Sequence, residues 1–120
     1  MKKMKNNKTI DIRKLEREIV NRLKPLNPEI IILFGSYAYG DPDENSDIDI
    51  YIATSDEFVP KNWKEFSELY LKYSKLIRDL QKDIPIDLIV HTKKMYKKFV
   101  KYNKSFANEI SKGKILWQRS

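Results

Sequence analysis

Residues 29–53 read EIIILFGSYAYGDPDENSDIDIYIA, and this stretch decides the fold. Glu29 to Phe34 is a continuous apolar run rich in β-branched side chains. It is too short for a helix and is stopped by Gly35, so it predicts a strand buried on both faces. Ser36 to Tyr39 can form one helical turn. Asp41 to Ser46 has turn chemistry throughout, with Asp-Pro, further acids, Asn and Ser. From Asp47 to Ala53 the pattern alternates. Asp47, Asp49 and Tyr51 share one face of a strand, and Ile48, Ile50 and Ile52 share the other. The prediction is an antiparallel pair, 29–34 with 47–53, joined by a short polar loop.

Upstream, Thr9 can cap a helix with Asp11 in its first turn, where the helix dipole favours an acid. Ile12, Leu15, Ile19 and Leu23 recur at spacings of three and four, one buried stripe ended by Pro25. Downstream, 54–61 is a connecting loop containing Pro60. Trp63, Phe66, Tyr70, Tyr73, Ile77 and Leu80 then predict a helix over 62–81. At this spacing the aromatic stripe reads as core rather than as a base-stacking surface. Pro85 precedes a third strand, 86–90, with Asp87 and Ile89 on one face. His91 reads as a strand-end residue. Thr92 can cap a helix carrying Tyr96, Phe99 and Val100, Ser105 restarts a helix with Phe106 and Ile110, and Gly113 stops it. Residues 115–117 predict a short edge strand.

The chain has 120 residues, 34% of them charged and 41% hydrophobic. That is the size of one small domain with a single core, and the expected division is a basic flexible tail over 1–8 and one domain over 9–120. No apolar run is long enough to span a bilayer, and the basic start lacks the apolar segment of a secretory signal. There are no cysteines, which excludes disulfides, thiolate metal sites and cysteine nucleophiles and fits a cytoplasmic location. The net charge of +7 invites nucleic acid, nucleotide phosphates or an acidic protein as partners. Scattered lysines on helical faces and scarce arginine argue against direct nucleic-acid binding.

Chemistry concentrates at Asp47 and Asp49. Residues i and i+2 of a strand point the same way, with Cα atoms about 6.5 to 7 Å apart. Two such carboxylates repel each other and invite a cation. Magnesium takes oxygen ligands and typically one or two carboxylates plus substrate phosphates. Two bridged ions about 3.5 to 4 Å apart stabilise both oxygens of an in-line displacement. An isolated Asp-x-Asp reads more simply as a turn residue and a solvated strand residue. Its context is Gly35-Ser36: glycine lets the backbone approach a bulky anion, free amides of a helical turn point at that anion, and the Ser36 hydroxyl adds a hydrogen bond. Gly40 lets the chain reverse.

Gly35-Ser36-Tyr37-Ala38-Tyr39-Gly40 followed by Ser46-Asp47-Ile48-Asp49 resembles the signature of the DNA polymerase β nucleotidyltransferase superfamily. The match is nearest to its minimal nucleotidyltransferase (MNT) group, the antitoxins of HEPN–MNT toxin–antitoxin pairs. The resemblance extends over nearly the whole chain, including the leading helix, the long helix after the second strand, and the ending Ser105-Phe106…Glu109-Ile110…Gly113-Lys114-Ile115-Leu116. It implies an α+β fold, a small mixed sheet with helices on one side. It implies a third carboxylate on a neighbouring strand, a position that Asp87 matches. It implies that Asp47 and Asp49 bind two magnesium ions, that Asp87 binds the one activating the nucleophile, and that Gly35, Ser36, Gly40 and Ser46 bind the nucleotide. Many relatives carry a basic residue where Tyr39 stands, so no phosphate-clamp role passes to Tyr39.

The implied activity is transfer of AMP from ATP to a protein hydroxyl, on a tyrosine of a HEPN ribonuclease toxin that forms a hetero-oligomer with this chain. Two other readings differ in kind. One is transfer to a small molecule, as in the aminoglycoside-modifying relatives, which usually carry an extra domain. The other is a non-catalytic antitoxin subunit that acts by contact alone.

Overall fold

A computed structural model describes residues 11–40, 42 and 46–120. The expectations for the tail over 1–8, the Thr9 cap, and residues 41 and 43–45 of the turn lie outside the described residues. These contain helices α1 (Ile12–Leu23), α2 (Ser36–Tyr39), α3 (Trp63–Ser74), α4 (Lys93–Tyr102) and α5 (Lys104–Ser111), and strands β1 (Ile30–Phe34), β2 (Ile48–Ala53), β3 (Ile86–His91) and β4 (Lys114–Gln118). Asp11, expected inside the first turn of α1, is its cap: the side chain accepts from the Lys14 amide at 3.2 Å.

The strands form one sheet in the order β3-β2-β1-β4. β1 pairs antiparallel with β2, as the alternation predicts, and with β4 on its other edge. β2 and β3 are parallel. A parallel pair needs a crossover, and α3 supplies it. The helix expected over 62–81 is α3 followed by two tight 3-10 turns, Lys75–Ile77 and Leu80–Lys82. The Gln81 side chain there donates to the Ile86 carbonyl at 3.0 Å, fastening the start of β3.

Helices cover both faces of the sheet, not one. Ile31, Leu33, Ile48, Ile50, Ile52, Leu88 and Val90 pack against Leu15, Ile19 and Leu23 of α1 and Leu69, Tyr73 and the following Ile77. Ile30, Ile32, Tyr51 and Ala53 pack against Tyr96 of α4 and Phe106 and Ile110 of α5. The reason is in the apolar runs: β1 is apolar at every position, so either face left bare would expose isoleucines, each contributing roughly 1.5 to 3 kcal/mol when buried. Trp63 departs from the expected stripe. It begins α3 beyond the edge of the core and is 78% exposed. The restart of the last helix is capped by Asn103, whose side chain accepts from the Phe106 amide at 2.9 Å, so the helix begins ahead of the expected Ser105.

Candidate active site

Three chain segments meet at one end of the sheet: the end of β1, the start of β2 and the start of β3. Phe34, the last residue of β1, stands opposite Asp49. Asp49 stands beside Asp87 in the parallel β2–β3 register. Neighbouring strands lie about 4.8 Å apart, and directly paired residues point to the same face. The Ile48 amide donates to the Pro85 carbonyl at 3.0 Å, which locks the first residues of β2 and β3 side by side. Asp47 precedes the strand rather than opening it, and is exposed. The pleat therefore aligns Asp49 with Asp87 but does not itself place Asp47 on their face.

Gly35 follows β1 with φ of 78°, a left-handed conformation that favours glycine. A Cβ at Gly35 would lie 2.1 Å from Oδ2 of Asp49. The absence of a side chain here is thus what lets the Asp49 carboxylate lie against the backbone of the turn. Gly35 also starts α2: its carbonyl accepts from the amides of Ala38 at 3.0 Å and Tyr39 at 3.1 Å. Gly40 closes that turn with φ of 81°, its amide donating to the Ser36 carbonyl. Ser36 and Ser46 are both half-buried.

Asp49 carries the electrostatic signature of the site. Burial raises its pKa above the ordinary 3.8, and the nearby Asp87, Asp47 and Glu109 carboxylates raise it further. The charged groups acting on it are all acidic. Among the described residues, no group of three or more His, Asp or Glu side chains is gathered closely enough to hold a metal ion. The like charge around Asp49, with oxygen donors on two adjacent strands, nevertheless suits a hard divalent cation.

Glu109 stands in the sequence only within the longer resemblance, and the structure brings it here from α5. The Tyr39 hydroxyl donates to its carboxylate at 2.8 Å and lies 3.2 Å from its carbonyl oxygen. The available signal was Ile110 beside it, the buried anchor of α5, with Gly113 as a stop. Together they fix which way the helix end faces. His91 belongs elsewhere. It is buried at the far end of β3, shares a 2.9 Å hydrogen bond with the Tyr51 hydroxyl, and stacks near Phe99 and Phe106. It stands at the strand end, as the sequence predicts, with a side chain as its ring's partner. Tyr51 itself is fully buried packing.

The Polymerase beta, Nucleotidyltransferase family profile matches residues 17–120, the span that builds this site. The chain belongs to the polymerase beta nucleotidyltransferase family. As a family member it is a nucleotidyltransferase. It is 30% identical over 99 residues to the Methanocaldococcus jannaschii protein named "Putative protein adenylyltransferase MJ0141", an alignment covering 82% of this chain and 94% of that protein. A second M. jannaschii protein, "Putative protein adenylyltransferase MJ1379", is 44% identical over 64 residues, 53% of this chain and 56% of its own length. Among solved structures, a toxin-antitoxin with AMP-PNP superposes with a TM-score of 0.55 at 25% identity, covering 88% of this chain and 74% of that one. A mutant of the toxin-antitoxin MntA-HpeT gives 0.54 at 24% identity with the same coverage, a likeness of fold. No helix among the described residues is long and apolar enough to cross a membrane.

Proposed function

We propose that this nucleotidyltransferase moves AMP from ATP to a hydroxyl of a partner protein in the cytoplasm, and that the partner is a HEPN-type toxin modified on a tyrosine. The observation that carries the chemistry is the Asp49–Asp87 register beside a glycine that leaves no room for a side chain. The protein acceptor rests on the named relatives, and the toxin on the toxin-antitoxin folds that superpose on the chain.

In this reading the Gly35 backbone and the Ser36 hydroxyl hold the triphosphate, with Gly40 and Ser46 shaping the turn around it. Asp47, Asp49 and Asp87 would hold two magnesium ions, which would offset the charge of the triphosphate and of the leaving pyrophosphate. The acceptor oxygen attacks the α-phosphorus, the bond from that phosphorus to the pyrophosphate oxygen breaks, and the acceptor proton passes to Asp87 or to water. Asp87 is exposed at the edge of the row, open to an acceptor arriving from another molecule. The toxin and this chain form a hetero-oligomer long enough for transfer.

The test uses α-labelled ATP, magnesium, the purified chain and the product of its neighbouring gene. Label on that partner, lost with Asp47→Asn, is the expected result. If no label appears and Asp47→Asn still neutralises the partner, the protein acts by contact and the transferase reading is wrong.

A further inference from the structure

We propose that the Tyr39 hydroxyl and the Glu109 carboxylate form a tether that positions the turn over 35–40 for the nucleotide, so that both are positioning residues for donor binding. The tether's role rests on the reading of that turn as the triphosphate site. By itself the turn is weak. α2 is four residues long, held internally by the Gly35 and Ser36 carbonyls and bounded by two glycines with positive φ. A single helical turn is not stable alone, because nucleation costs more than one or two hydrogen bonds return. A turn that must hold amides and a hydroxyl still needs a fixed point outside itself.

Glu109 provides one, 70 residues away in the chain. Its own position is fixed independently of Tyr39. α5 is capped at its start by Asn103 and anchored near its end by buried Ile110. Gly113 then packs so closely on β1 that a Cβ there would lie 2.6 Å from both the Leu33 carbonyl oxygen and Cγ2 of Ile32. This contact brings the end of α5 to the end of β1, where α2 begins. The acceptor is a carboxylate, and a hydrogen bond to a charged acceptor is shorter and about twice as strong as a neutral one. Asp49 stands between Phe34 of β1 and Asp87 of β3, and α2 and the end of α5 both meet the chain at β1, so the pair lies on the β1 side of Asp49, away from Asp87. It thus borders the side of the site assigned to the phosphates, not the side open to the acceptor.

Tyr39 is 42% exposed, so Tyr39→Phe removes the tether and leaves the core intact. The experiment measures binding of AMP-PNP with magnesium to the full chain, and amide hydrogen exchange over 36–40. Tyr39→Phe should weaken nucleotide binding several-fold, the loss expected for an exposed hydrogen bond, and speed exchange in the turn. Glu109→Ala, which leaves the backbone carbonyl of residue 109 as an acceptor, should do the same to a smaller extent. The double variant should be no weaker than Tyr39→Phe alone. Glu109→Gln, which keeps a neutral acceptor oxygen, should retain about half of the binding energy that Glu109→Ala loses. Binding and exchange unchanged in Tyr39→Phe, or two losses that add, would overturn the tether. If the unaltered chain binds no nucleotide, the triphosphate reading fails, and exchange over 36–40 decides the tether alone: faster in Tyr39→Phe upholds it, unchanged overturns it.

Discussion

Asp49 and Tyr51 are two residues apart on one strand and point to the same face, yet their surroundings differ completely. Asp49 is half-buried among carboxylates, with Asp87 beside it. Tyr51 is fully buried, hydrogen-bonded to His91 and enclosed by Tyr96 and Phe106. Asp87 and His91 repeat the contrast along β3. The strands do not change between these positions; the cover does. α4 and α5 lie over the Tyr51–His91 half of the face and leave the Asp49–Asp87 half to the turn after β1. A sheet face becomes a site where its helices stop, and the polar residues differ accordingly: a shared hydrogen bond under the helices, uncompensated like charge beyond them.

The sharpest way to break this comparison is to exchange one polar group in each half. Asp49→Asn should lower nucleotidyl transfer by at least about a hundredfold, the scale of losing one electrostatic contact made in a transition state. The same variant should unfold at the same or higher denaturant concentration than the parent, since it relieves repulsion. A large loss of stability would show that Asp49 is structural. Tyr51→Phe should do the reverse. It leaves Nδ1 of buried His91 without its partner, costing about 1 to 2 kcal/mol in urea unfolding, with transfer by the folded protein little altered. Loss of transfer without loss of stability would place Tyr51 in the site after all.

The smallest effect is in acid, because the two halves oppose each other. Burial pushes the His91 imidazole from its ordinary 6.5 down to about 4. Between those values the unfolded chain binds the proton and the folded one does not, so stability falls as pH drops from about 6.5 to about 4. Asp49 is shifted the other way. Its folded carboxyl takes up a proton before the unfolded one does, so its repulsion is relieved as pH falls through its raised pKa. In the metal-free protein, His91→Gln should flatten the acid loss in unfolding midpoint and Asp49→Asn should steepen it. Equal slopes in both variants would contradict the opposite assignments.

Much of this was legible because the signals are local. The period-two alternation of 47–53 and the apolar run of 29–34 fixed a strand pair, and Gly35, Gly40 and Asp49 followed at the places where such a pair turns. Asp87 was legible as an acid between apolar neighbours in a short strand. Trp63 was misread because periodicity reports a face, not how far the core extends along it. Asp47 shares a face with Asp49 in the alternating pattern; in the fold it stands exposed just before β2, and its charge acts on Asp49 from there. Helices on one side, which came with the family resemblance, became helices on both, because only a few apolar residues, among them Tyr96 of α4 and Phe106 and Ile110 of α5, reach the second face.

By itself, then, the sequence determined the hairpin, its glycines and its carboxylates, through hydrophobic period and backbone steric limits that act over a few residues. Only the tertiary structure decided which acids become neighbours. The parallel register set Asp49 against Asp87, and the approach of α5 to β1 at Gly113 brought Glu109 to Tyr39. Those contacts join residues 38 and 70 positions apart, and no local propensity encodes them. They follow from the packing of whole elements, which a pattern of neighbours along the chain does not contain.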